Sequence, residues 1–348
     1  MQTPLRLKIG KQPEQGPGQK DVSERGIKKL AVISRRPTSP SEGWLADATF
    51  RGLVIACAVS LLVIVALILI QLMRQSAASR GSFGLKFLTT SIWNPVTGKF
   101  GAAPFIYGTL VSSFLGLLIA VPLSLGTALF LTELCPPFFR RILGTTVELL
   151  AAIPSVIYGL WGLFVLAPVL RLYLEPWLQK SLGWTGLFSG PPLGVGMLAA
   201  GIILAIMILP IVASVTREVI LAVPRQQREA VLALGATRWE MLRMGVLRNA
   251  RVGIVGAVIL GLGRAIGETM AVTMVIGNSP QISKSLFAPG NTLASVVALE
   301  FSEASDDLHL SSLIEVALVL FVITLIVNAL ARLLVWSVTR GQPSRTLA

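Results

Sequence analysis

Six stretches of about 20 mostly apolar residues recur along the chain, at 52–73, 105–131, 147–170, 194–215, 252–276 and 313–336. A helix rises 1.5 Å per residue, so each run is long enough to cross the ~30 Å hydrocarbon layer of a bilayer. The pattern predicts an all-α integral membrane protein with six transmembrane helices in one domain over 47–340. Residues 1–46 carry no apolar period and are rich in Gln, Pro, Gly, Lys and Glu, the composition of a disordered tail. Residues 341–348 form a short C-terminal tail. Pro122 and Pro154 fall inside the second and third runs and predict kinks or broken helices there. The segments "TTVE" at 145–148 and "SLIE" at 312–315 have the spacing of capping boxes and predict helix starts.

Composition agrees with a membrane chain: 53% of residues are hydrophobic and only 14% charged. The net charge of +13 could point to nucleic acid, but its distribution excludes that reading. Ten Lys or Arg precede the first run and seven lie in 216–251, while the three loops on the other side hold four, two and one. The positive-inside rule therefore predicts both termini in the cytoplasm, with no nucleic-acid partner. Cys57, Cys135 and the lone His309 are read as packing or solvated surface residues without chemistry. The chain has no G-x-x-x-x-G-K-[ST] phosphate loop, no H-E-x-x-H and no Cys/His cluster. It is thus expected to bind no cofactor or metal and to have no enzymatic activity of its own; ATP driving it would sit on another subunit.

The longest loop on the cytoplasmic side, 216–251, has internal order. Pro224 suits a helix start, "PRQQREAVLAL" is helical in composition, and Gly235 is a natural stop. "TRWE" at 237–240 is a capping box, predicting a second short helix after a turn. Tethered between two spans, this pair is suited to contact a protein.

The segment "REAVLALGATRWEMLRMGVL" resembles the EAA loop of ABC-importer permeases, with Glu229, Ala230 and Gly235 on its E-A-x-x-x-x-G core. Val231 in place of a second alanine, and "VLRNA" at 246–250, depart from the common pattern. Over 83–334 the chain resembles the PstC-type permease subunit of bacterial phosphate ABC importers, through "FGAAPFIYGTLVSS", "VELLAAIPSVIYGLWG", "GLGRAIGETMAVTMVIGNSPQI" and "LFAPGNTLASVVALEF". The resemblance implies a multi-pass protein of the bacterial plasma (inner) membrane. It also implies a PstA-type second permease, two ATPase subunits carrying ATP and Mg, and an extracytoplasmic phosphate-binding protein. The first short helix would then insert into an ATPase groove, with Glu229, Ala230, Leu234 and Gly235 as the coupling residues.

Arg264 and Glu268 are charges within an apolar run. On a continuous helix at 100° per residue they share a face with Gly253, Ala257, Gly261 and Ala271, opposite Val255, Ile259, Leu262, Ile266 and Met270. Arg264 is 13 residues beyond Arg251, hence roughly 20 Å along the axis and slightly past the membrane centre. Each charge there costs on the order of 2.5–3.5 kcal/mol, which an i,i+4 pair partly offsets. The pair is either a substrate-path element, with Arg264 presenting a planar fork to phosphate and Glu268 exchanging with the anion, or a structural salt bridge. The outer loops around "SIWNP" and "NTLASVVALEF" are candidate docking surfaces for a binding protein. The overall expectation is a permease subunit of an ATP-driven phosphate importer; the alternatives are a sulfate or molybdate permease, or an ion-coupled carrier with Glu268 as proton site.

Overall fold

The computed structural model describes residues 40–339, and side-chain surroundings for 46–336. The expected tails at 1–39 and 341–348 lie outside the described residues, while 40–46 form the first turns of a helix. Packing divides the chain into two units, Met1–Leu67 and Ile68–Ala348. The described part of the first is an apolar helix that makes up most of α1 (Pro40–Gln75).

The second unit begins with the end of α1 and contains α2 (Ala77–Phe83), α3 (Ala103–Leu134), α4 (Pro137–Ala151), α5 (Ser155–Thr185) and α6 (Met197–Leu221). It continues through α7 (Arg225–Ala233), α8 (Arg238–Ile266), α9 (Met270–Val275), α10 (Leu293–Glu300) and α11 (Asp307–Thr339). Among the described residues, six helices are long and apolar enough to cross a membrane: α1, α3, α5, α6, α8 and α11.

α3 and α6 form the central pair. A Cβ on Gly116 would lie 2.9 Å from Leu204 Cβ, and one on Gly201 would lie 2.5 Å from Leu115 Cδ2. Ala120, Ala200 and Ala205 are buried alongside. Lipid tails are as apolar as the helices, so association relies on such close approach for dispersion contacts. Ser124 Oγ donates to Leu209 O at 3.0 Å and adds a polar tie between the two helices. Pro122 stays inside α3, whose helix continues past it.

The expected third span is displaced. Helix α4 ends at Ala151, and Pro154 caps the start of α5, so the spanning helix is 155–185 and not 147–170. Pro154 cannot donate an N–H and disfavours helix in the residue before it; the apolar run across it therefore belongs to two helices. The "TTVE" and "SLIE" segments lie inside α4 and α11 and start nothing. Ser312 Oγ bonds back to Leu308 O at 2.7 Å within a helix already formed.

The segment between α9 and α11 is folded into the bundle. Gly290 N–H donates to Ile276 O, Gly196 N–H to Val275 O and Leu198 N–H to Leu286 O. Thr292 and Ser295 form a capping box for α10, and Leu293 N–H donates to Thr109 Oγ1 of α3 at 2.9 Å. Irregular backbone is tolerated near a membrane when protein groups satisfy it in this way. Much of the expected docking segment "NTLASVVALEF" is consequently core, since Asn291 through Val296 are buried. Trp93 of "SIWNP" is buried too, donating from Nε1 to Glu300 Oε2 at 2.8 Å. His309 is no solvated surface residue: it is 7% exposed, stacks on Phe100 and lies 3.0 Å from the same Glu300 oxygen.

Candidate functional site

The turn between α6 and α8 positions the first site. Pro224 precedes α7, and Gly235 follows it with φ +82°, a left-handed stop that L side chains adopt only with strain. The capping box forms, with Thr237 Oγ1 accepting from Glu240 N–H at 3.3 Å and Glu240 Oε2 accepting from Thr237 N–H at 2.8 Å. It opens no separate short helix, however. The chain runs on from Arg238 through the wide turn Met241–Leu247 and remains helical to Ile266.

The inner face of α7 packs through Val231 against a cluster of Ala128, Ile220, Val223, Met241, Val246 and Ala250. Arg228 anchors it. Its Nη2 donates to Ile220 O at 2.9 Å and lies 3.1 Å from Glu133 Oε1 at the end of α3. Glu229, Ala230, Leu234 and Gly235 are all exposed, Leu234 at 89%, with Leu232 and Trp239 beside them in sequence. The four residues singled out from the sequence thus lie on accessible surface of one turn. Trp239, Arg228 and Glu133 were not singled out. Trp239 was legible as a large aromatic next to the box, but the Arg228–Glu133 pair joins positions 95 residues apart and left no local signal.

The second site differs from the continuous-helix expectation. α8 ends at Ile266, and Gly267 to Thr269 break the helix before α9. Glu268 therefore leaves the wheel that Arg264 occupies, and the two form no ion pair. Glu268 is 9% exposed, and its Oε1 accepts from Ala271 N–H at 3.4 Å in the first turn of α9. Arg264 is exposed and lines a 490 Å³ groove with Ile211, Gly256, Ile259, Leu260, Gly263 and Asn328. The exposed stripe of α8 runs Gly256, Leu260, Arg264 at four-residue spacing, while Ala257, Gly261 and Ala265 face inward. Ile266, expected on the outer face, is buried. A guanidinium exposed on a membrane-spanning helix is costly against lipid. The arrangement offers a planar fork suited to an anion on a surface otherwise built of glycine, aliphatic groups and the Asn328 amide.

A family profile described as "Binding-protein-dependent transport system inner membrane component" matches residues 120–340. The "Phosphate transport system permease protein PstC" of Mesorhizobium japonicum is 49% identical over 306 residues, covering 87% of this chain and 94% of that protein. The chain belongs to the PstC permease family. A more divergent member, "PstC 2" of Mycobacterium tuberculosis, is 39% identical over 311 residues, again 87% of this chain and 94% of its own. The PstC fold also resembles a crystal structure of a bacterial ABC transporter involved in import of the acidic polysaccharide alginate. That likeness has a TM-score of 0.53 at 19% identity, over 84% of this chain and 97% of the other. At that identity it speaks for the fold alone. As a PstC-family member with six apolar helices, the chain is a multi-pass membrane protein of the permease class.

Proposed function

We propose that this PstC-family chain is the transmembrane permease subunit of an ATP-driven inorganic phosphate importer and forms half of the translocation path. The observation that carries the reading is Arg264, the one charged residue lining a groove of otherwise uncharged residues, and exposed there. An arginine there is tolerable when a second subunit or an aqueous path covers it, and the second homologous PstA-type permease is the partner we assign to that face. Arg264 is the phosphate contact. Glu268, held against the first turn of α9, maintains the helix break that frees Arg264 from an internal partner, and its negative charge shortens the anion's stay.

The exposed face of α7, with Glu229, Ala230, Leu234 and Gly235, docks on a cytoplasmic ATPase subunit. ATP and Mg are bound there, and the chain has no catalytic role of its own. Two such ATPases and an extracytoplasmic phosphate-binding protein complete the assembly. In this reading the chain lies in the bacterial plasma membrane with both termini cytoplasmic, as the Lys and Arg distribution supports.

The test is phosphate uptake per assembled complex for Arg264→Gln and Arg264→Lys. Both are expected to assemble and to lose at least about tenfold in uptake, the lysine variant because a point charge cannot replace the bidentate fork. Near-normal uptake by an assembled Arg264→Gln complex would overturn the role of Arg264. Preferential uptake of sulfate or molybdate by the wild-type complex would move the assignment to another oxyanion. Collapse under a protonophore with ATP intact would point instead to a proton-coupled carrier working through Glu268.

A further inference from the structure

The groove that holds Arg264 contains one other side chain able to hydrogen-bond, Asn328 of α11; its remaining walls are glycine and aliphatic residues. A Cβ on Gly256 or Gly263 would meet nothing within 4 Å, so no neighbour crowds the space beside Arg264.

The Asn328 amide has a fixed orientation. Its Nδ2 donates to Thr324 O at 2.9 Å, one turn back along α11. A backbone carbonyl only accepts, so the amide cannot turn over without setting one oxygen against another. That leaves Oδ1 free. It has no hydrogen-bond partner among the described residues and is not one of their buried unsatisfied atoms, so it is accessible. An unpartnered amide oxygen and a guanidinium on neighbouring membrane-spanning helices suit a ligand that brings both anionic oxygens and an O–H.

We propose, resting on the assignment of Arg264 as the anion contact, that Asn328 is the residue of this permease that tells phosphate from other oxyanions. Its Oδ1 accepts the O–H of a hydrogen phosphate whose anionic oxygens lie on Arg264. Arg264 alone cannot discriminate, because its fork of donors fits phosphate, sulfate and molybdate alike. Near neutral pH phosphate always retains a proton, whereas sulfate and molybdate carry none. Against those two, Oδ1 faces another acceptor with no hydrogen between them, and a site that hydrogen-bonds a substrate hydroxyl rejects the analogue lacking it. The second Nδ2 hydrogen serves every oxyanion equally, so selection falls to Oδ1.

The experiment is equilibrium dialysis of the purified permease–ATPase complex, without a binding protein, against radiolabelled phosphate, sulfate and monofluorophosphate. The last two share the dinegative charge of hydrogen phosphate but have no O–H. Binding that disappears in Arg264→Gln is the groove's share. We expect the wild-type groove to hold phosphate about tenfold more tightly than either analogue, as one neutral hydrogen bond allows. Asn328→Leu should bind all three alike, and Asn328→Asp, which keeps an acceptor, should weaken all three with phosphate still ahead. If Asn328 only ties α11 together, Asn328→Leu shifts the three anions equally and leaves their order unchanged, which overturns the proposal. Equal wild-type affinity for phosphate and monofluorophosphate overturns it as well, and that comparison needs no variant should Asn328→Leu not assemble. Anion binding indifferent to Arg264→Gln removes the Arg264 reading and this proposal with it; binding that depends on Arg264 but shows no order among the anions removes this proposal alone.

Discussion

Arg228 of α7 and Glu133 at the end of α3 form an ion pair of 3.1 Å, and the same Arg228 nitrogen donates to the last turn of α6 through Ile220 O. One guanidinium thus fastens α7 to both helices of the central pair. Arg228→Met removes a charge-assisted contact worth roughly 1.5–3 kcal/mol. The expected outcome is a complex that still copurifies with its ATPase, because the outer face of α7 is untouched, but whose uptake per ATP hydrolysed falls several-fold. Loss of ATPase association with uptake otherwise tightly coupled would refute this division of roles.

Gly235 separates backbone strain from side-chain clash. A Cβ there meets nothing within 4 Å, yet φ is +82°. Gly235→Val should therefore cost roughly 1–2 kcal/mol through the backbone alone, while Gly235→Asn, which tolerates the left-handed region, costs much less. ATPase association measured by copurification should drop about tenfold for Val and stay near wild type for Asn. Equal defects in both would mean that the left-handed conformation is not what the position supplies.

Gly108 and Gly126 occupy the same helix and make opposite predictions. A Cβ at Gly108 would lie 1.9 Å from the Asn291 carbonyl oxygen, whereas at Gly126 nothing lies within 4 Å. Gly108→Ala should push the buried stretch around Asn291 off α3 and lower the Tm of the purified protein by several degrees. Gly126→Ala should be neutral or slightly stabilising, as expected of alanine in a helix.

Topology can be read with cysteines. In a background where exposed Cys57 and buried Cys135 are replaced, Val96→Cys and Leu234→Cys present thiols at positions 95% and 89% exposed in the native protein. A membrane-impermeant maleimide should label position 96 from outside intact cells and position 234 only after permeabilisation. The reverse pattern would invert both termini.

The features legible in the sequence were those set by hydropathy over long windows or by local backbone chemistry: six apolar runs, the capping box at Thr237, the left-handed stop at Gly235. What escaped was set by tertiary partners. The 252–276 run looks like one helix because its hydropathy never falls, yet Gly267 to Thr269 break it, and Glu268 lies against α9 where a wheel placed it beside Arg264. "NTLASVVALEF" reads as an outer loop, but its Asn, Thr and Ser are paired with one another inside the bundle, and the Leu293 N–H donates to Thr109 of α3. His309 likewise looked like a lone surface residue because its partners, Glu300 and Phe100, come from other segments. The capping-box spacing at 145–148 and 312–315 misled for the opposite reason, since a local pattern has no effect inside a helix that began earlier.

Since α8 is unbroken from Arg238 to Ile266, the turn that ends α7 leads straight into the rod that carries the arginine of the groove. From Glu240 to Arg264 that rod is about 36 Å long. Pivoting it by 10° about its cytoplasmic end carries the guanidinium about 6 Å, more than one helical turn of rise. In the proposed assembly α8 would thus act as a lever, a small tilt at its α7 end becoming a displacement of several ångströms at Arg264.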